Sequence, residues 1–160
     1  MSLNFNRWGC LPRTGVPVTK AQDIMTSDVR GVGPSDSLQT AATLMKQLDV
    51  GSLPVMTGER LLGMLTDRDI TVRGVASGLS PALTPVADVM TPDPEVCNPD
   101  DPIDDLMRRM GQLQLRRLPV VRNGRLVGMV SQADLARRQH VDIDPYVRAV
   151  SKPGPGDERA

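Results

Sequence analysis

Apolar residues follow a helical spacing along one stretch of this chain and a strand-like spacing along the next. A stripe that recurs every three or four residues predicts an amphipathic helix of about three turns. Its members are Leu38, Ala41, Ala42, Met45 and Leu48. Two short apolar runs, 53–56 and 61–65, then flank a turn at Gly58. Runs of this length around a glycine turn predict a β-hairpin.

The ends of the helices are marked by polar residues and glycine. Before the first helix, Ser35 or Asp36 is available as the N-terminal cap. A second helix is expected from Asp67 to about Ala76, and Gly78 would end it. A short strand near 29–32 would precede all of these elements.

The whole pattern occurs a second time, 65 positions later and without a gap. Residues 23–70 and 88–135 are identical at 17 of 48 positions, more than chance gives at one fixed offset. The second helical stripe consists of Ile103, Leu106, Met107, Met110 and Leu113. Asn123-Gly124 is the strongest short hairpin signal and predicts the second hairpin turn. A last helix is expected from Gln132 to about His140.

Proline and aspartate indicate where a helix begins and where strands lie. Asp101 is the expected helix cap, and Pro102 suits the first turn. A short strand is expected near 95–97. Pro54 and Pro119, in the first strand of each hairpin, predict an edge position or a strand start, because proline cannot donate to the ladder.

The duplication divides the chain into five predicted parts. They are an N-terminal arm (1–20), repeat one (21–78), a linker (79–86), repeat two (87–141) and a partly disordered C-terminal tail (142–160). One repeat of about 60 residues is marginal alone, so we expect one compact module whose two halves share a core.

Composition argues against several classes of partner. The formal net charge is zero, which disfavours a nucleic acid or an anionic membrane surface. No run of about 18 apolar residues occurs, and the first residues lack the apolar core of a signal peptide, so a cytoplasmic location is expected. The cysteines, Cys10 and Cys97, are expected to be free thiols in a reducing compartment, and a disulfide between them is the alternative.

Two short motifs recur in both copies. Leu-Pro-Val occupies 53–55 and 118–120, and Gly-x-x-Thr/Ser-x-x-Asp occupies 63–69 and 128–134. With the hairpins, they resemble the cystathionine β-synthase (CBS) domain, and the tandem pair resembles a Bateman module of the small stand-alone bacterial type that includes hypoxic response proteins. The resemblance implies an α/β (α+β) fold of two βαββα repeats about a pseudo-twofold axis. It also implies two clefts, which in this family often take adenine nucleotides.

The Gly-x-x-Thr/Ser-x-x-Asp motif also has a chemistry of its own. Gly63 allows close backbone approach, and Thr66 lies beside the free amides of the next helix, which suits a phosphate. The carboxylate of Asp69 suits the paired hydroxyls of a ribose. Ser131 and Asp134 repeat the arrangement. Two interpretations stay open: these residues contact a ligand, or they merely cap their helices.

The copies differ just before Leu-Pro-Val. Gly51-Ser52 in copy one corresponds to Arg116-Arg117 in copy two. In related CBS proteins, such as the AMP-activated kinase γ subunits, basic residues at this place contact phosphates, and arginine forks match phosphate oxygens. Arg116 and Arg117 are therefore candidate phosphate ligands, and the two clefts are expected to be unequal. The alternative is a pair of surface arginines.

An apolar slot for an adenine ring is expected from the strands. The strand residues that could form it are Val29, Val32, Met56 and Met64 in copy one and Val96, Cys97, Val121 and Met129 in copy two. Four of them are the candidate contacts: Val32, Met64, Cys97 and Met129. Because the chain has one Trp, one Tyr and one Phe, the base would rest on aliphatic or methionine side chains. Most such positions belong to a core by default.

These observations predict a non-catalytic regulatory or sensor module, not an enzyme, since no nucleophile elbow or phosphate loop occurs. The expected ligand contains adenine: AMP, ATP, NAD(H) or S-adenosylmethionine, acting as a regulatory ligand with no obligatory cofactor. The resemblance implies a homodimer and leaves a protein partner open.

Two other functions compete with the sensor hypothesis. One is a structural homodimeric adaptor without a physiological ligand, whose clefts are filled by its own side chains. The other is a redox or metal sensor that uses Cys10, Cys97 and His140.

Overall fold

The computed structural model describes residues 18–137. Nearly all of the predicted arm, the whole tail, and with them Cys10 and His140, lie outside the described residues. The described helices are α1 (Leu38–Leu48), α2 (Asp67–Asp69), α3 (Ile103–Gln112) and α4 (Gln132–Ala136). The strands are β1 (Ser52–Thr57), β2 (Arg60–Thr66), β3 (Thr91–Pro92), β4 (Arg117–Arg122) and β5 (Arg125–Ser131).

Both predicted hairpins form, and their turns follow the glycine signals. Thr57 pairs with Arg60 across Gly58-Glu59, and Arg122 pairs with Arg125 across Asn123-Gly124. Asn123 and Gly124 both have positive φ, 52° and 77°, as a tight two-residue hairpin turn requires. The two hairpins are antiparallel, and their register shifts at the same point, between Val55 and Met56 and between Val120 and Val121.

The strands form one sheet in the order β1-β2-β5-β4, with β3 paired to β2. A single pairing, between Arg60 and Arg125, joins the two hairpins. The prolines lie on β1 and β4, the outer strands of that order, as predicted. The short strands expected near 29–32 and 95–97 reduce to single parallel bridges, Val32 to Val55 and Cys97 to Val120. Strand β3 has no counterpart among the predictions.

The predicted helix caps are wrong in both copies. Ser37, not Ser35 or Asp36, caps α1 by accepting a hydrogen bond from the Thr40 amide. Asp36 accepts instead from the Gly33 amide at 2.7 Å. In the second copy Pro102 is the residue before α3 and has no capping side chain. Asp101 accepts from the Asn98 amide at 3.0 Å, so both aspartates stabilise the turn that leads into the helix.

The helical stripes are buried with three exceptions. Ala42 is exposed and Leu48 half-buried on α1, and Leu113 lies just after α3 with an exposed fraction of 52%. The second helix of copy one is more irregular than predicted. It continues from α2 through a π-helical turn (Ile70–Gly74) and a 3₁₀ turn (Val75–Ser77), and Gly78 ends it in the left-handed conformation. The helix that begins at Gln132 can be followed only as far as the described residues extend.

The two halves have separate cores rather than the shared core that was expected. The first cluster contains Leu38, Ala41, Met45, Leu53, Val55, Leu65, Val86 and Val89. The second contains Ala21, Cys97, Leu106, Met110, Leu118, Val120, Val130 and Leu135. Each cluster thus includes residues that precede the other copy in sequence.

The segment that leads into each copy packs against the other half, and we call these two segments exchanged. Ala21 belongs to the first of them and Thr84 to the second. The Ala21 amide donates to the Asp101 carbonyl, and Lys20 forms an ion pair with Asp100 at 2.8 Å. In the opposite direction, Leu38 donates to the carbonyl of Thr84, a residue of the predicted linker that is buried. Each copy therefore completes the core of its neighbour, which gives two marginal repeats a common stability without one continuous core.

Candidate functional site

Thr66 and Asp69 bond each other at the start of α2. The Thr66 hydroxyl accepts from the Asp69 amide at 3.0 Å, and Asp69 Oδ2 accepts from the Thr66 amide at 3.0 Å and from its hydroxyl at 2.6 Å. This is a reciprocal capping box with aspartate in the position usually held by glutamate. The cap uses only Oδ2 of Asp69; the other oxygen, Oδ1, lies 3.6 Å from Arg73 Nε.

Ser131 and Asp134 repeat this geometry at the start of α4. Asp134 Oδ2 accepts from the Ser131 amide at 2.8 Å and from its hydroxyl at 2.6 Å. Asp134 Oδ1 lies 3.7 Å from Arg137. Helix capping is therefore a real role of both pairs, and each carboxylate keeps one oxygen for another partner.

The glycine of each motif admits backbone from the exchanged segment. A Cβ at Gly63 would lie 2.7 Å from the Thr91 carbonyl oxygen, and one at Gly128 would lie 3.0 Å from that of Thr26. Thr26 and Met129 also exchange two backbone hydrogen bonds of 2.9 Å. The close approach expected at this glycine is thus made by the chain itself.

A cavity of about 410 Å³ opens beside Ser131 and Asp134; we call it the second-half cleft. Its lining residues are Thr26, Asp28, Val29, Arg30, Leu48, Val50, Ser52, Leu53, Arg117, Met129, Ser131, Ala133, Asp134 and Arg137. Copy one supplies the residues up to Leu53 and copy two the rest. The cleft therefore lies between the halves, as the resemblance implies.

The charged groups of the second-half cleft are three arginines and two aspartates. Arg117 lies on β4 opposite Ser131, and its Nη1 donates to the Ser52 hydroxyl at 2.7 Å. Arg116 is exposed, and its backbone carbonyl accepts from the Gln132 amide. Of the two candidate arginines, the structure brings Arg117 to the cleft wall.

The four candidate residues for the adenine slot do not lie together in the structure. Met129 lines the second-half cleft, and Met64 occupies the equivalent position on β2, opposite Thr91. Val32 and Cys97 lie in the two cores, 5% and 2% exposed. Burial raises the pKa of the Cys97 thiol to about 11, and its Sγ donates to the Pro119 carbonyl at 3.6 Å.

A larger depression, of about 520 Å³, lies between α1 and the segment 30–36. Val32 and Asp36 line it, but it contains none of the paired hydroxyl and carboxylate residues. The second-half cleft is the better candidate because it combines anionic, cationic and apolar groups from both copies.

Sequence reasoning missed several residues of the cleft wall. Thr26 and Asp28 are among the identical pairs of the repeat, matching Thr91 and Asp93, so a signal existed. It was overlooked because these residues precede the core of their own copy. Arg137 lines the cleft as well.

Between residues 18 and 137, no group of three or more His, Cys, Asp or Glu side chains could hold a metal ion. No helix in the same part of the chain is long and apolar enough to cross a membrane.

Comparison with known proteins places this geometry in context. A family model described as the CBS domain matches residues 21–73 and 86–141. The chain is 43% identical over 122 residues to CBS domain-containing protein YhcV of Bacillus subtilis (strain 168), covering 76% of this chain and 86% of YhcV. It is 37% identical over 139 residues to Hypoxic response protein 1 of Mycobacterium tuberculosis, covering 85% of this chain and 96% of that protein.

Solved structures agree with these relatives. Hypoxic Response Protein I with two coordinated zinc ions superposes with a TM-score of 0.70 at 39% identity, covering 75% of this chain and 98% of that one. CBSX2 in complex with AMP superposes with a TM-score of 0.64 at 29% identity, covering 74% and 93%. The predicted fold class, a tandem CBS pair, is confirmed.

Proposed function

The chain belongs to the CBS-domain family, and we propose that it is a non-catalytic regulatory module that binds an adenine-containing ligand in the second-half cleft. The candidates are AMP, ATP, NAD(H) and S-adenosylmethionine. The ligand would act by favouring one arrangement of the module or of its dimer, which requires different affinities for the two arrangements.

The observation that carries this proposal is the set of groups around one cavity. Asp134 Oδ1 is the carboxylate oxygen left over from the helix cap and suits ribose hydroxyls. Arg117 and Arg137 suit a phosphate or another anionic group, and Met129 offers a soft apolar surface to a base. The volume of about 410 Å³ falls within the usual range of small-molecule sites.

The AMP complex of CBSX2 supports the ligand class, because that protein has the same fold at 29% identity. The zinc ions of Hypoxic Response Protein I belong to that relative. Of the residues named for a redox or metal sensor, only Cys97 is described, and its buried protonated thiol is poorly suited to either chemistry.

Titration calorimetry with AMP, ATP, NAD(H) and S-adenosylmethionine tests the proposal directly. We expect at least one to bind to the purified protein, and Asp134→Ala to remove that binding while circular dichroism shows a folded chain. Asp104→Ala, the same change at an exposed helix position, is the matched control and should bind as the parent does. If no candidate binds below about millimolar concentration, a range in which binding is worth only about 4 kcal/mol, the sensor hypothesis is wrong.

That negative result would favour the structural homodimeric adaptor. Exposed apolar side chains at Val72, Val75 and Leu83 are the observation that keeps this second function in view. We propose a homodimer in either case, and analytical ultracentrifugation of the full chain tests it.

A further inference from the structure

Arg109 on α3 bonds the segment that leads into its own helix. Its Nη2 contacts the Glu95 carboxylate and donates to the Val96 carbonyl oxygen at 2.5 Å. Its Nη1 donates to Asp101 Oδ2 at 3.4 Å, and 27% of the side chain is exposed. One half-buried guanidinium therefore joins α3 to the segment 95–101.

The first half has the same backbone turn in the segment 30–36. Asp36 Oδ2 accepts from the Gly33 amide at 2.7 Å, as Asp101 Oδ2 accepts from the Asn98 amide at 3.0 Å. In each half, the segment is also joined to the first strand of the hairpin by one parallel bridge. Two of the acceptors around the guanidinium, a carboxylate and a backbone carbonyl, thus have counterparts in the first half.

The side chains around this turn differ between the halves. At an offset of 65, Leu44 corresponds to Arg109, and Arg30 corresponds to Glu95. Leu44, Arg30 and Asp36 all line the depression of about 520 Å³ beside α1. The first half therefore keeps one carboxylate of the cluster, but it has neither the guanidinium nor the second carboxylate.

The charged groups of this depression are available to a ligand. Among residues 18–137, neither Arg30 nor Asp36 forms an ion pair with another side chain. Asp36 uses Oδ2 for the turn, which leaves Oδ1 as a second acceptor. The volume of about 520 Å³ lies within the usual range of small-molecule sites. The polar residues of α1 that line it are Gln39, Thr40, Thr43 and Gln47.

We propose that the depression binds L-arginine or a closely related guanidinium amino acid. The guanidinium of the ligand bonds Asp36 and the Gly31 carbonyl oxygen, the counterparts of two acceptors that bond Arg109 in the second half. Its carboxylate pairs with Arg30, because charge-assisted pairs of this kind are the strong ones. One molecule thus supplies both groups that the first half lacks. This site takes a second class of ligand and does not depend on the proposed function.

Amide NMR of the full chain tests this inference with L-arginine as the probe. We expect the signals of Gly31, Asp36 and Thr43 to shift and to saturate at millimolar concentrations. L-citrulline replaces the guanidinium by an uncharged group, and agmatine lacks the carboxylate. Each should bind about tenfold more weakly, which is the effect of one hydrogen bond to a charged group.

Substitutions that copy the second half give the sharper test. Leu44→Arg/Arg30→Glu reproduces Arg109 and Glu95, so its own guanidinium should occupy the site and L-arginine should no longer bind. Leu44→Met changes the same position without a charge and should bind L-arginine as the parent does. Arg30→Glu alone should reverse the preference and favour agmatine, because it repels the carboxylate of L-arginine.

A single change covers the case in which the double variant does not fold. Asp36→Asn keeps an oxygen for the Gly33 amide and removes the charge, so it should weaken L-arginine binding by about tenfold. Shifts that do not saturate, equal responses to L-arginine and L-citrulline, or unaltered binding by Asp36→Asn or by a folded Leu44→Arg/Arg30→Glu would each overturn the inference.

Discussion

The two halves of the molecule keep the same helix caps and surround them with different side chains. Asp69 and Asp134 accept backbone amides at 3.0 and 2.8 Å in matching geometry. Beside them, however, Ser52 in one strand corresponds to Arg117 in the other, and Arg117 lies on the wall of the second-half cleft. The cap stabilises the fold of each half, whereas the groups around it decide what each half can bind.

The largest contrast in stability is expected at the motif glycines. Gly63→Ala would bring a Cβ to 2.7 Å from the Thr91 carbonyl oxygen, so backbone must move. At Gly128 the nearest atom is the flexible Met25 Sδ, and the backbone oxygen of Thr26 lies at 3.0 Å. We expect Gly63→Ala to cost about 1–3 kcal/mol, and Gly128→Ala to cost less. Urea unfolding of the two variants checks this, and equal losses would show that both contacts relax alike.

The contrast in ligand binding is expected to depend on Arg117. Arg117→Ser copies the first half and removes a charged hydrogen-bond donor from the second-half cleft. Loss of such a bond to phosphate costs about 1.5–3 kcal/mol, so AMP affinity should fall by about tenfold or more while adenosine affinity changes little. Arg116→Ala, at an exposed position, is the control. Equal weakening of AMP and adenosine would show that Arg117 acts by shaping the cleft and not through phosphate.

The smallest expected effect is a pH dependence of the unfolding free energy, which comes from the Cys97 thiol in the second core. Cys97 corresponds to Val32, and burial raises the pKa of its thiol from 9.0 to about 11. The unfolded chain therefore releases the proton first. The contribution of the neutral thiol is fully present below pH 9 and is lost as the pH rises towards about 11.

Cys97→Val, which copies the first core, isolates this effect. The difference in unfolding free energy between parent and variant should be constant at neutral pH and should shift against the parent above pH 9. A pH-independent difference would contradict the assignment. Slow alkylation of Cys97 in the folded parent at neutral pH, measured separately from Cys10, is expected for the same reason, since the thiolate is the reactive form.

Local features were predicted well because they depend on neighbours in the chain. The hairpins follow from Asn123-Gly124 and the turn at Gly58, and the edge strands follow from Pro54 and Pro119. Details within a single turn were less certain. Ser37 caps α1 in place of the preceding residues, because an aspartate three residues after an amide can bond that amide instead.

The candidate site was predicted in part. The pairs Thr66 with Asp69 and Ser131 with Asp134 could be found because the repeat marks them twice, and the structure shows them bonded as caps. Val32 and Cys97 were expected in the slot but lie in the cores. Periodicity shows that a strand residue is apolar, but it cannot show whether that face meets a ligand or another strand.

The amino-acid sequence by itself determined two similar halves, their helices and hairpins, and the chemical groups that recur in both. Only the tertiary structure decided that the leading segments exchange, that Thr26 and Arg117 meet at one cavity, and that Arg73 bonds the segment before copy two. The physical reason is the range of the interactions. Caps and turns join residues a few positions apart, whereas the clefts are built from segments whose meeting depends on how two separate cores pack together.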